Sequence, residues 1–119
     1  MWRKGSIFFT CDDRDGCLAM HDLASFERSL ADSSPPAGLS RPLLALWHLA
    51  KGDWDRAHGV AQQDEVDPDC AWVHALLHRV EDDPGNARYW YRRAGRPAAT
   101  GDLAAERRAI TAELLARPA

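Results

Sequence analysis

The chain has 119 residues, 45% of them hydrophobic, and a formal net charge of −3. Its length and apolar content support one globular domain and exclude a disordered chain. The acidic balance argues against a non-specific nucleic-acid binder, and no apolar run approaches the roughly 20 residues of a membrane-spanning helix.

Arginine outnumbers lysine 13 to 2, and 20 residues are alanine. That bias favours helices. Three cysteines, an odd number, fit a reducing compartment better than a disulfide framework. The apolar stretch after the basic start is only Ile7-Phe8-Phe9, shorter than the roughly 7–15 residues of a signal peptide. A cytoplasmic location is therefore expected.

Residues 1–19 lack helical periodicity and carry the polar cluster CDDRDGC at 11–17. They read as a poorly structured N-terminal extension, with Met20 as the natural start. The alternative is an edge strand over residues 7–10. Residues 11–22 can also be laid on a calcium-binding EF-hand loop, with Asp13, Asp15 and Gly16 in place. Cys11 then stands at the first ligand position and Asp22 at the last, where a glutamate belongs, so an acidic loop is the simpler reading.

Residues 20–119 read as a single helical domain. Leu23, Phe26 and Leu30 have helical spacing within 20–33. Ser33 to Gly38, with Pro35-Pro36 inside, is a turn or short linker. Ser40 can cap the next helix, with Pro42 tolerated in its first turn. Leu39, Leu43, Leu46 and Ala50 form its apolar stripe, and Gly52 ends it. Asp53 caps a helix carrying Trp54, Ala57 and Ala61. Asp67-Pro68 and Asp83-Pro84 each place a capping acceptor before a proline suited to the first helical position. Trp72, Leu76 and Val80 line one of these helices, and Ala87, Trp90, Tyr91 and Ala94 the other. Gly95 with Pro97 is a stop. A last helix falls within 101–117, with Leu103, Ala109, Ile110 and Leu114 expected to face inward. The predicted fold is all-α, with two antiparallel helix pairs at its centre.

The two pairs echo each other. Residues 46–57 read LWHLAKGDWDRA and residues 76–87 read LLHRVEDDPGNA. Leu46 falls on Leu76, His48 on His78, Asp53 on Asp83 and Ala57 on Ala87. One local plan used twice implies paired helices stacked side by side.

Gly52-Asp53-Trp54, two further residues and Ala57, followed by an Asp-Pro turn, resemble the second helix of a tetratricopeptide-like repeat. The resemblance covers residues 39–97. It implies a short right-handed superhelix of helix pairs, with the first and last helices of the chain as caps. Small residues at Ala45, Ala57, Ala75 and Ala87 would let paired helices approach. The offset is 30 residues, not the typical 34, and two repeats are fewer than the three or so usual for such folds. The run Asn86-Ala87-Arg88-Tyr89-Trp90-Tyr91-Arg92-Arg93-Ala94-Gly95 also resembles a small family of uncharacterised bacterial proteins, which brings no activity with it.

Candidate chemistry is sparse. His74 and His78 share a helix face, as in a two-histidine metal site, and His48 could add a third ligand. The glutamate of an HExxH motif is missing. In the repeat alignment His48 and His78 fall where a tyrosine packs between helices, so packing histidines are the expectation. Cys11 and Cys17 do not form a CxxC pair. Cys70 lies near a helix N-terminus, where Asp67 and Asp69 oppose thiol ionisation, so it reads as a buried, inert cysteine.

Arg88, Arg92 and Arg96 recur every four residues, with Arg93 beside them and Tyr89, Trp90 and Tyr91 interleaved. Such an edge suits a phosphate, a carboxylate or an acidic peptide; the simpler reading is a solvated face. In a tetratricopeptide-like fold the first helix of each pair lines the concave side, which would place Trp72 and Arg79 there near Leu46 and Leu49. An aromatic beside an arginine is the composition of an interface hot spot.

The leading functional expectation is a non-catalytic module that binds a peptide, a partner protein or itself through helix faces. The candidate contacts are Trp72, Arg79, Arg88, Tyr89, Tyr91, Arg92 and Arg93. Uncovered apolar repeat faces would make a homodimer. The first alternative is a binding protein for a small anionic or sugar-like ligand, held by Trp72, Tyr89, Tyr91, Arg92 and Arg93. The second is a metal-dependent enzyme around His74 and His78. No cofactor-binding motif is found and no cofactor is expected.

Overall fold

Five of the six helices begin on an aspartate whose carboxylate accepts a backbone N–H of the first turn. Such caps satisfy donors that no helical partner can reach. The computed structural model describes residues 22–117. The expectations for residues 1–19, the strand at 7–10, the acidic loop at 11–22 up to its last residue, and Cys11 and Cys17 lie outside the described residues.

The helices are α1 (Leu23–Ser29), α2 (Arg41–Ala50), α3 (Trp54–Ala61), α4 (Pro68–Val80), α5 (Pro84–Ala94) and α6 (Leu103–Ala116), with a short 3-10 turn at Gln62–Asp64. No strand occurs among the described residues. No helix is long and apolar enough to cross a membrane. The sequence reading therefore places the helices within a few residues. It differs at one cap: Ser40 precedes α2 but its side chain makes no capping hydrogen bond. The buried Pro42, in the first turn of α2, has no N–H to satisfy there.

α2 packs on α3 and α4 on α5, each across a three-residue turn. The two turns are the same structure. Gly52 has φ 85° and Asp82 has φ 62°. In each, the residue after that left-handed position donates to a histidine carbonyl: Asp53 to His48 at 2.9 Å and Asp83 to His78 at 2.8 Å. Ala45, Ala57, Ala75 and Ala87 are all buried, so each pair is close-packed through small side chains.

α4 also rests on α2 and α3, and α6 lies across α1, α2 and α4. The main core joins Phe26, Leu43, Leu46, Trp47, Leu76, Leu77, Ile110 and Leu114. Burying each large apolar side chain contributes about 1.5–3 kcal/mol. A second cluster, Ala71, Ala75, Ala87, Trp90 and Tyr91, holds α5 on α4, and Trp72 packs against both clusters. The inward face of α6 is Ile110, Thr111 and Leu114, whereas Leu103 and Ala109 are exposed. Thr111 can be buried because its hydroxyl donates to the Arg107 carbonyl at 2.8 Å.

Candidate functional site

α6 occupies the face of α2 and α4 that the repeat resemblance assigns to an open groove. Arg79 of α4 donates to Glu106 of α6 and, at 2.8 Å, to the Gly101 carbonyl. Tyr91 of α5 donates its hydroxyl to the other oxygen of Glu106. One partly buried carboxylate thus ties together α4, α5 and α6. Burial first, then the hydrogen bond to Glu106, pushes the Tyr91 phenol well above its ordinary range. Trp72 is covered as well: the Arg96 guanidinium lies 3.7 Å from its ring centroid and pairs with Glu113.

The remaining arginines of α5 divide. Arg93 lies over the rings of Tyr89 and Trp90 and donates to the Glu65 carbonyl at 3.1 Å, tying α5 to the turn after α3. Arg88 and Arg92 are exposed, and their side chains make no ion pair or hydrogen bond among the described residues. The side chains expected to act together thus form three separate groups: Trp72 with Arg96; Arg79 with Tyr91 and Glu106; Tyr89 with Arg93 and Trp90. Of the candidate contacts, Arg79, Arg88 and Tyr91 line one cleft, and Trp72, Tyr89, Arg92 and Arg93 do not line it. A cleft of about 300 Å³ beside α5 is lined by Arg79, Ala87, Arg88, Tyr91, Ala98 and Ala99, among others. Its lining is mostly apolar.

The histidines converge more closely. His58 on α3 and His74 and His78 on α4 offer ligand nitrogens that all lie within 4.8 Å of one another. His48 is not among them. Its repeat-equivalent, His78, faces the preceding helix pair, whereas among the described residues α1 alone precedes the pair that holds His48. Two i,i+4 aromatic couples build the cluster. Trp54 stacks on His58 with centroids 4.8 Å apart, and His74 stacks on His78 at 4.9 Å. His74 is also sandwiched against Trp90 at 3.9 Å. The Trp54 indole donates to the Leu77 carbonyl at 2.7 Å, which locks α3 onto α4.

His74 is 4% exposed, and its Nδ1 is buried without a hydrogen-bond partner. Burial, with His58 and His78 adding to it, brings its pKa down to about 4, so the ring is neutral at pH 7. Burial also lowers the pKa of His58, with His78 next in effect. Nδ1 of His78 is hydrogen-bonded to Glu81 at 2.6 Å. A carboxylate accepts, so Nδ1 is the donor of this bond.

Cys70 is 1% exposed. Burial and the neighbouring Asp67 push its thiol up to about 12, which fits the inert cysteine read from the sequence. His58, Trp54 and Glu106 were missed by sequence reasoning. The first two had a usable signal, an i,i+4 pair of rings on the helix before His74 and His78. Glu106 had none, because its partners come from other helices. Comparisons with family models, curated proteins and solved structures found no match.

Proposed function

We propose that the chain is a non-catalytic, tetratricopeptide-like interaction module that binds an acidic segment of a partner protein along the outer side of α5. The observation that carries this reading is the pair Arg88 and Arg92, exposed, one helical turn apart and unpaired, while Arg79, Arg93 and Arg96 are engaged within the fold. Two guanidinium groups at that spacing suit two carboxylates on an extended or helical segment. The apolar cleft next to Arg88 suits a small aliphatic side chain between them. The tetratricopeptide-like part of the reading is supported by two helix hairpins offset by thirty residues, with matching turns. No homodimer is proposed. α6 covers the joint face of α2 and α4, and the large apolar side chains left exposed among the described residues are Val66, Val80, Tyr89 and Leu103.

The test is a library of fluorescent peptides in which acidic residues flank one aliphatic residue. The expected result is saturable binding that weakens with salt and drops at least about tenfold in Arg88→Glu/Arg92→Glu. The fold should be untouched, since neither side chain is buried. If no peptide binds, or hits bind the charge-reversed variant equally well, the reading falls. Equal competition by inorganic phosphate would favour the small-anion alternative.

A further inference from the structure

Three imidazoles from two helices meet beside a carboxylate, in a setting with two tryptophans stacked against it. We infer that His58, His74 and His78 form a binding site for a borderline divalent transition-metal ion, with zinc its natural probe.

Four observations carry this independently of the α5 surface. The three ligand nitrogens already lie within 4.8 Å of one another. Bonds of about 2.0–2.1 Å around a tetrahedral ion set adjacent nitrogens about 3.4 Å apart, so each ring needs to move by no more than about an ångström. The second observation is the orphaned Nδ1 of His74. A buried polar atom left unpaired costs about 1–3 kcal/mol and is rare in a folded protein. A third is the hydrogen bond from His78 to Glu81, which fixes its tautomer and makes the free nitrogen more basic, as metal-bound histidines require. The fourth is chemical. All-imidazole donors favour zinc, copper, nickel or cobalt over calcium or magnesium, which want oxygen.

The site also makes structural sense. His58 belongs to the second helix of one pair and His74 and His78 to the first helix of the next. A bound ion would pin the two pairs together across the interface that the Trp54–Leu77 hydrogen bond already holds. His58 is half-buried, the most exposed of the three ligands.

His78 also lies within reach of Glu81 and Asp83, a second group of potential ligands. The test separates the two. Full-length protein is stripped with chelator and titrated with Co²⁺ and then Zn²⁺, read by visible absorption, calorimetry and melting temperature. The expected result is one ion per chain, tetrahedral cobalt bands displaced by zinc, and a higher melting temperature with zinc. His58→Gln should remove the bands and weaken binding by more than about 100-fold, and Glu81→Gln should weaken it about 10–100-fold. Circular dichroism of each stripped variant checks folding, and His58→Asn serves if His58→Gln does not fold. No saturable binding by wild type would overturn the inference. Unchanged binding by a folded His58 variant would overturn it too, and would place the ion on Glu81 and Asp83.

Discussion

Asp82 occupies the backbone state of Gly52: the two sit thirty residues apart with φ 62° and 85°, each closing the turn of a helix hairpin. A left-handed residue costs glycine nothing, and costs a residue with a Cβ about 1 kcal/mol. Aspartate tolerates the region better than most. Asp82→Gly should therefore stabilise the protein by up to about 1 kcal/mol in urea denaturation. Gly52→Ala should destabilise it by about 1–2 kcal/mol, although open space surrounds the Cβ position. If Gly52→Ala is neutral, the left-handed turn does not persist in solution.

Arg79 and Glu106 link α4 to α6 with side chains 16% and 11% exposed. Removing one partner strands the other charge in a largely dry site. Arg79→Met should cost about 2–4 kcal/mol, and Arg79→Met/Glu106→Leu much less than the sum of its single variants. Hydrogen exchange should quicken in α6 first, because that helix loses its tie to α4. Additive single and double variants would show that the pair is not formed.

The helix starts were legible because their chemistry is local. An aspartate before Pro68 or Pro84 satisfies orphan donors and leaves few other backbone choices. The stop at Gly95 was legible for the same reason, and Gly95 has φ 73°. What could not be read was the placement of α6. Its apolar spacing suggested Ala109 as an inward residue, yet Thr111 is the buried one, since a threonine on a helix can bond its own backbone. Glu106 meets Arg79 and Tyr91 only once three helices assemble. Likewise His48 and His78 are equals in the repeat and unequal in space, because among the described residues only His78 has a preceding helix pair to face. The His58 contact follows from how pairs stack, which a within-helix spacing rule does not capture.

Trp47 anchors α1. Its indole N–H donates to the Ser29 hydroxyl at 3.0 Å, and that hydroxyl donates to the Phe26 carbonyl at 2.6 Å. Both residues are buried, so Ser29→Ala leaves the indole N–H without a partner. The expected loss is about 1–3 kcal/mol. Trp47→Phe in the Ser29→Ala background should then cost less than in wild type, with a coupling near 1 kcal/mol in a double-mutant cycle. Zero coupling would mean that α1 docks by apolar contact alone.

Cys70 gives a pH signature on the alkaline side. Its folded thiol ionises near 12, against an ordinary value of 9.0. Above pH 9 the unfolded chain loses this proton while the folded chain keeps it. The native state then binds more protons, so stability falls as pH rises, by at most about 1.4 kcal/mol per pH unit from this group. Lysines and tyrosines titrate there too, so the measurement is a difference. Between pH 9 and 10.5, denaturation of a Cys11→Ser/Cys17→Ser variant should lose stability faster than the same variant with Cys70→Ala. Below pH 8 the two should run parallel. In the first variant, iodoacetamide should modify Cys70 only as fast as the protein opens. Alkylation of the native protein at the rate of an unfolded peptide would show that the thiol is neither buried nor held by its surroundings.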